Sequence, residues 1–151
     1  MIRDDVKTAQ VAAMKAGDKP TVNATRLIQA AIKNRDIELR TAATTPDDDV
    51  LVTEVLQKMI KQRRESIDLY QKGGRPELAD AEQVEVAVIE RFLPAQMSED
   101  EAKAAIDAIA TELGAASVKD MGRVMAAVKE RHAGAMDMSK ASALVKARLA
   151  C

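Results

Sequence analysis

Apolar residues return every three or four positions through most of the chain, the period of an α-helix with one buried face. Ile2, Val6, Ala9 and Ala13 share a face of a first helix over residues 2–16, which Gly17 ends. A second helix opens within residues 20–23. Ala24, Leu27, Ile28 and Ala31 make its stripe, Ile32 widens it, and it fades over residues 40–45. The third starts where Thr45 caps, Pro46 takes the first helical position, and Asp47, Asp48 and Asp49 suit the positive end of the helix dipole. Val52, Val55, Leu56, Met59, Ile60, Ile67 and Tyr70 line it as far as Gly73 and Gly74, and it is expected to pack antiparallel on the second helix. A fourth covers residues 76–92, with Leu78, Ala81, Glu85, Val88, Ile89 and Phe92 in line. Glu85 is the odd member of that stripe, suited to an inter-helix pair or an edge position.

Pro94 then breaks the pattern, because it has no N–H to donate and disfavours a helical residue before it. The next helix is announced by Ser98-Glu99-Asp100-Glu101, which reads as a capping box. It runs to about residue 113, with Ala102, Ile106, Ile109 and Leu113 inward and Gly114 as its stop. Ser117 and Asp120 make a second start, followed by Met121, Val124, Met125 and Val128. Asp137 caps a last helix that buries Ala141, Leu144, Val145 and Leu149. No strand pattern or repeat interrupts this series. The expected fold is all-α: an N-terminal helical bundle or hairpin over residues 1–93, then a smaller three-helix module over residues 98–151.

Composition supports helices over sheet. Apolar residues are 47% of the 151, with a single Phe and a single Tyr, so the core is built from Ala, Val, Ile, Leu and Met. The net charge of −1 gives no overall basic field, but the charges are segregated. Residues 76–90 hold five acids and no base, whereas residues 114–151 hold seven Lys/Arg against three Asp/Glu. In the third helix Lys58, Lys61 and Arg64, three apart, form one ridge with Gln57 beside it. Taken alone, such a run reads as a solvated helix face. Arg63 falls on the apolar stripe, where it either snorkels or pairs with a carboxylate of a neighbouring helix.

Catalytic and metal chemistry finds little to work with. His132 and Cys151 are the only members of their types, too few for a zinc site, and nothing positions a Ser–His–Asp set. The one cysteine excludes an intrachain disulfide. Gly73-Gly74-Arg75 is too short for a phosphate loop and reads as a helix terminator. Asp47, Asp48 and Asp49 are better helix-start residues than metal ligands. His132 sits near a helix C-terminus, a structural position, and Met121, Met125, Met136 and Met138 read as core and loop filler. No catalytic residue, metal or cofactor is expected. No apolar run is long enough to span a bilayer and no signal-type segment opens the chain, so a cytoplasmic protein without membrane association is the expectation.

Five segments together carry a resemblance: Arg26-Leu27-Ile28-Gln29-Ala30-Ala31-Ile32-Lys33-Asn34, Lys61-Gln62-Arg63-Arg64-Glu65-Ser66-Ile67, Gly74-Arg75-Pro76-Glu77-Leu78, Phe92-Leu93-Pro94-Ala95-Gln96-Met97-Ser98 and Lys119-Asp120-Met121-Gly122-Arg123-Val124-Met125. In order and spacing they resemble the GatB/YqeY family across almost the whole chain, in its stand-alone YqeY-like form. Phe92 stands where members often carry Tyr and Ala95 where many carry Lys, which removes one charge from the hinge. The resemblance implies an all-α fold of two subdomains, related to the C-terminal tail of the B subunit of the tRNA-dependent amidotransferase. There the module is thought to hold tRNA while the chemistry lies elsewhere. It also brings a family label of carbon–nitrogen ligase activity with glutamine as amido-N-donor, for which no residues here supply a reaction.

The expected function is therefore a tRNA-associated binding module without catalytic activity of its own, with tRNA and a tRNA-metabolism protein as its partners. The alternative is a helical protein–protein adaptor with no RNA role, docking through the acidic stretch or the basic C-terminal module. The candidate RNA contacts are Lys58, Lys61 and Arg64 on the ridge, and Lys119, Arg123, Lys129 and Arg131 in the C-terminal module. With aromatics nearly absent, affinity would come from phosphate neutralisation and shape rather than base stacking.

Overall fold

The computed structural model describes residues 1–150; Cys151 lies outside the described residues. Its helices are α1 (Ile2–Ala16), α2 (Lys19–Glu38), α3 (Asp48–Lys72), α4 (Pro76–Glu90), α5 (Glu99–Glu112), α6 (Met121–His132) and α7 (Met138–Ala150). Short 3₁₀ turns follow α2 at Leu39–Thr41 and precede α6 at Val118–Asp120. Among the described residues no strand occurs, only an isolated bridge between Ala133 and Met136. The fold is all-α. The chain divides into two compact units, Met1–Leu93 and Pro94 onward.

The first unit holds α1 to α4. Gly17, at φ 70°, lets the chain leave α1 and turn at once into α2, since a side chain disfavours that left-handed conformation. Asp18 caps α2, its carboxylate accepting from the Thr21 amide at 3.2 Å and the Thr21 hydroxyl at 2.7 Å. The two helices form an antiparallel hairpin. Gln29 Nε2 donates to Gln10 Oε1 at 2.6 Å, and the Arg3 guanidinium grips Asp36 at 2.7 and 3.1 Å. Val6, Ile28, Ile32, Leu51, Val52, Leu56, Met59, Val86 and Ile89 meet in the core.

Several details depart from the sequence reading. The closest partner of α3 is α4 and that of α2 is α1, instead of a hairpin of the second and third helices. Helix α3 begins at Asp48, after an extended Asp47 (φ −52°, ψ 143°), and not at Pro46. The local start signal is overridden by tertiary contacts: Asp48 binds Arg3 at 2.7 Å, and Asp49 accepts from the Ile2 amide at 2.9 Å. Helix α4 ends at Glu90, with Arg91, Phe92 and Leu93 donating to the carbonyls three residues back as the chain tightens before Pro94. Leu27 and Ala81 point outward, while Leu51, Thr53, Ala79 and Val86 are buried.

The second unit packs α5, α6 and α7 around Ala102, Ile106, Ile109, Val124, Val128, Met136, Ala141, Val145 and Leu149. Ser98 and Glu101 form the capping box of α5: the Ser98 hydroxyl accepts from the Glu101 amide at 3.1 Å, and the Glu101 carboxylate accepts from the Ser98 amide. Asp137 accepts from the Ser139 amide at 2.7 Å at the start of α7. The stretch before α5 is held to the turn between α6 and α7. Met97 N donates to Ala135 O at 2.8 Å, and the Gln96 side chain donates to the carbonyls of Pro94 and Gly134. Pro94 and Gln96 of the Leu-Pro-x-Gln block thus have a structural use, closing the second unit, while Leu93 packs on the core of the first.

Candidate nucleic-acid interface

The seven candidate cations divide by what their charge already meets. On α3, Lys58 and Lys61 are exposed and carry no ion pair among the described residues, whereas Arg64 donates to Glu90 of α4 at 2.9 Å. Gln57, beside them, is half-buried. Helical spacing therefore sets the ridge where expected, but the acidic α4 neutralises one end of it. Arg63 turns inward, its Nε 2.7 Å from Glu85 and 4.0 Å from Glu82, with a terminal nitrogen on the Met59 carbonyl at 3.3 Å. Of its two sequence readings, the inter-helix pair is the observed one, and it accounts for Glu85 on the α4 stripe.

In the second unit Lys119 lies on the 3₁₀ turn before α6 and Lys129 on the last turn of α6, both exposed and without an ion pair among the described residues. Arg123 donates to Asp120 at 2.9 Å, and Arg131 forks onto Glu112 of α5 at 2.6 and 2.9 Å. The fork raises the Arg131 pKa and holds the Glu112 carboxyl below its ordinary value. Asp120 is also lowered, first by accepting from the Ala116 backbone amide and then by Arg123. Arg148 likewise pairs with Asp107 of α5 at 2.5 Å. The basic excess of the C-terminal stretch is thus offset by α5, which local counting did not include. Lys58 and Lys61 stand together on one ridge; Lys119 and Lys129 occupy opposite ends of α6.

The Asp-Met-Gly-x-Val-Met block also has a structural account. Asp120 ties the turn, Met121 and Met125 pack against the core of the second unit, and Val124 is fully buried in it. Among the described residues no group of His, Cys, Asp or Glu is arranged to hold a metal, and no helix is long and apolar enough to cross a membrane.

Reading charge by local runs also misses cations spaced along the first hairpin. Between Val6 and Asn34 stand Lys7, Lys15, Lys19, Arg26 and Lys33 against one acid, Asp18. The signal is their spacing: Lys7 and Lys15 are two steps of four apart, and Lys19, Arg26 and Lys33 are steps of seven.

An all-helical module of two aliphatic cores, with cations on its surface, is the class of protein these features define. The family model described as Yqey-like protein matches residues 2–149, and the chain belongs to that family. Its curated relatives include the protein named Altered inheritance of mitochondria protein 41, mitochondrial, from three fungi. The Eremothecium gossypii protein is 34% identical over 114 residues, covering 74% of this chain and 58% of the relative. That of Meyerozyma guilliermondii is 36% identical over 92 residues, covering 61% and 44%. That of Pyrenophora tritici-repentis is 32% identical over 135 residues, covering 85% and 71%. The chain thus spans about half the length of the first two relatives. These names correct the cytoplasmic expectation: the relatives are named as mitochondrial proteins, a compartment that composition did not suggest.

Proposed function

We propose that this protein is an RNA-holding module, similar in role to the tail of the tRNA-dependent amidotransferase B subunit, with transfer RNA as its ligand and no amide-transfer chemistry of its own. The observation that carries the reading is the set of exposed lysines without carboxylate partners among the described residues, Lys58 and Lys61 on α3 and Lys119 and Lys129 around α6. Arg64, Arg123 and Arg131 are engaged in the fold, and would contact phosphate only by exchanging one anion for another. Family membership supports the tail-like part of the reading, and near-absence of aromatics makes the binding electrostatic and salt-dependent.

The test is titration of the purified protein with labelled transfer RNA at several salt concentrations. Binding at low salt is expected to weaken linearly on log scales, and changing Lys58 and Lys61 to Gln to reduce the slope by about 0.7–0.9 for each phosphate no longer neutralised. Asp80→Lys is the charge control and should not weaken binding; Asp80 is exposed on the acidic α4. Absence of binding by the parent at low salt overturns the reading in favour of a protein–protein adaptor. Release of ammonia from glutamine by the protein alone would overturn the non-catalytic half.

A further inference from the structure

The hairpin of α1 and α2 carries a second set of unpaired cations in a more ordered arrangement than either surface described above. Arg3 and Gln10 of α1 meet Asp36 and Gln29 of α2, which fixes the seam between the helices and their antiparallel register. Val6 and Ala13 on α1, and Ala24, Ile28 and Ile32 on α2, face the core. The side of each helix away from the core is left to solvent. On α1 it presents Lys7, Val11 and Lys15, spaced four apart; on α2 it presents Lys19, Arg26 and Lys33, spaced seven apart. A step of seven returns to within about 20° on a helix and a step of four to within about 40°, so the α2 cations form a line, the α1 cations flank Val11 in a broader band, and the two run side by side along one outer face.

All five cations are exposed, and none has an ion pair among the described residues. The one acid in this stretch, Asp18, is turned to its own helix: accepting from the Thr21 side chain and amide holds its carboxyl below the ordinary value. Asp4 and Asp5, exposed in the first turn of α1, mark the end of the face. Along each helix successive cations stand about 10–12 Å apart at 1.5 Å of rise per residue, and the two helices are separated by a helix-packing distance of about 8–10 Å. Two parallel rows of separated point charges suit the phosphates of a folded polynucleotide. A lipid surface would be expected to take a broad apolar face with cations at its rim. Here the exposed large apolar residues of the two helices are Val11 and Met14 on α1 and Leu27 and Ile37 on α2, interspersed with the cations, and no aromatic stands among them.

We propose that this outer face of the α1–α2 hairpin, through Lys7, Lys15, Lys19, Arg26 and Lys33, is the main phosphate-contacting surface of the first unit, with folded RNA as its ligand. The inference rests on the RNA-holding reading above, and it transfers the larger electrostatic share from the α3 ridge to the hairpin.

The experiment compares three full-length proteins binding unfractionated transfer RNA across a salt series: the parent, a hairpin variant with Lys7, Lys15, Lys19, Arg26 and Lys33 all changed to Gln, and a ridge variant with Lys58 and Lys61 changed to Gln. Circular dichroism and melting temperature establish that each is folded; a single Arg26→Gln variant repeats the measurement should the fivefold variant melt early. The hairpin variant is expected to lose more of the log–log slope than the ridge variant, up to about 3.5–4.5 if all five cations meet phosphates. Arg26→Gln alone is expected to lose about 0.7–0.9. A parent that binds RNA while the hairpin variant, or Arg26→Gln in its place, keeps the parental slope overturns this assignment and leaves the RNA-holding reading standing. A parent that does not bind overturns both. Sedimentation with phosphatidylcholine–phosphatidylserine vesicles, lost in the hairpin variant while RNA binding is retained, assigns the face to lipid and likewise overturns the proposal.

Discussion

Arg63 shows how one side chain ties two helices. It occupies a position of α3 between Met59 and Ile67 where an aliphatic residue would continue the stripe, yet its side chain is only 15% exposed. The charge is tolerated because Glu85, the odd residue of the α4 stripe, meets it at 2.7 Å with Glu82 close by. Arg63→Ala would leave two half-buried carboxylates facing a void, and is expected to destabilise the first unit by about 1–3 kcal/mol in urea unfolding. Adding Glu85→Ala should cost less than the two single changes together; strict additivity would show that the pair is not coupled. A second guanidinium, Arg3, pulls the Asp36 carboxyl below the ordinary carboxylate range, and its own pKa rises. The sign follows from proton binding. The unfolded Asp36 takes up its proton at a higher pH than the folded one, so its contribution is complete above the ordinary value near 3.8 and is lost as pH falls through the lower folded value. Acid unfolding of the parent should therefore steepen below about pH 4, and Asp36→Asn should flatten that limb; an unchanged limb would remove Asp36 from the account.

Among the elements, α5 was the most readable and α3 the least. Everything that starts α5 lies within four residues, and Ser98 and Glu101 close the box that their spacing announces. Ser98→Ala is expected to cost about 1 kcal/mol, read as a lower midpoint for the second unit; no shift would mean that the box adds nothing beyond solvent. The start of α3 carries equally good local signals, Thr45 and Pro46, and they were overruled because Asp48 and Asp49 bind Arg3 and the Ile2 amide from forty-odd residues away. Periodicity placed Ile28, Leu56 and Ile89 inside, as observed, but it assigns a face and not a neighbour. The pairing of α3 with α4 depends on chain connection and tertiary packing, which a single helix's pattern does not contain. The candidate interface was legible to the same degree. Exposure of Lys58 and Lys61 follows from spacing, whereas the capture of Arg64 by Glu90 and of Arg131 by Glu112 requires knowing which helices are adjacent. The cations of the hairpin are present in the sequence, but at intervals of eight within α1 and seven within α2 they form no run.

At the scale of the whole molecule, two cores of Ala, Val, Ile, Leu and Met serve one chain, one built from residues of Met1–Leu93 and the other from residues beyond Pro94. Leu56 is fully buried in one and Ile106 nearly so in the other, and each loses several methylene groups when cut to Ala. Leu56→Ala and Ile106→Ala should each cost about 2–5 kcal/mol, set by transfer of the lost groups and by how far the site collapses. Stability in such a molecule is expected to divide with the cores, since a local opening is limited by the interactions broken in that unit. Hydrogen exchange followed by mass spectrometry distinguishes the arrangements. Under the two-unit expectation Leu56→Ala accelerates exchange of the slow amides in α2, α3 and α4 and leaves those of α5, α6 and α7 near their parental rates, while Ile106→Ala does the reverse. Acceleration of all slow amides together by either substitution would mean that the chain opens as one cooperative body, and a chain cut between Leu93 and Pro94 would then be expected to yield no folded fragment.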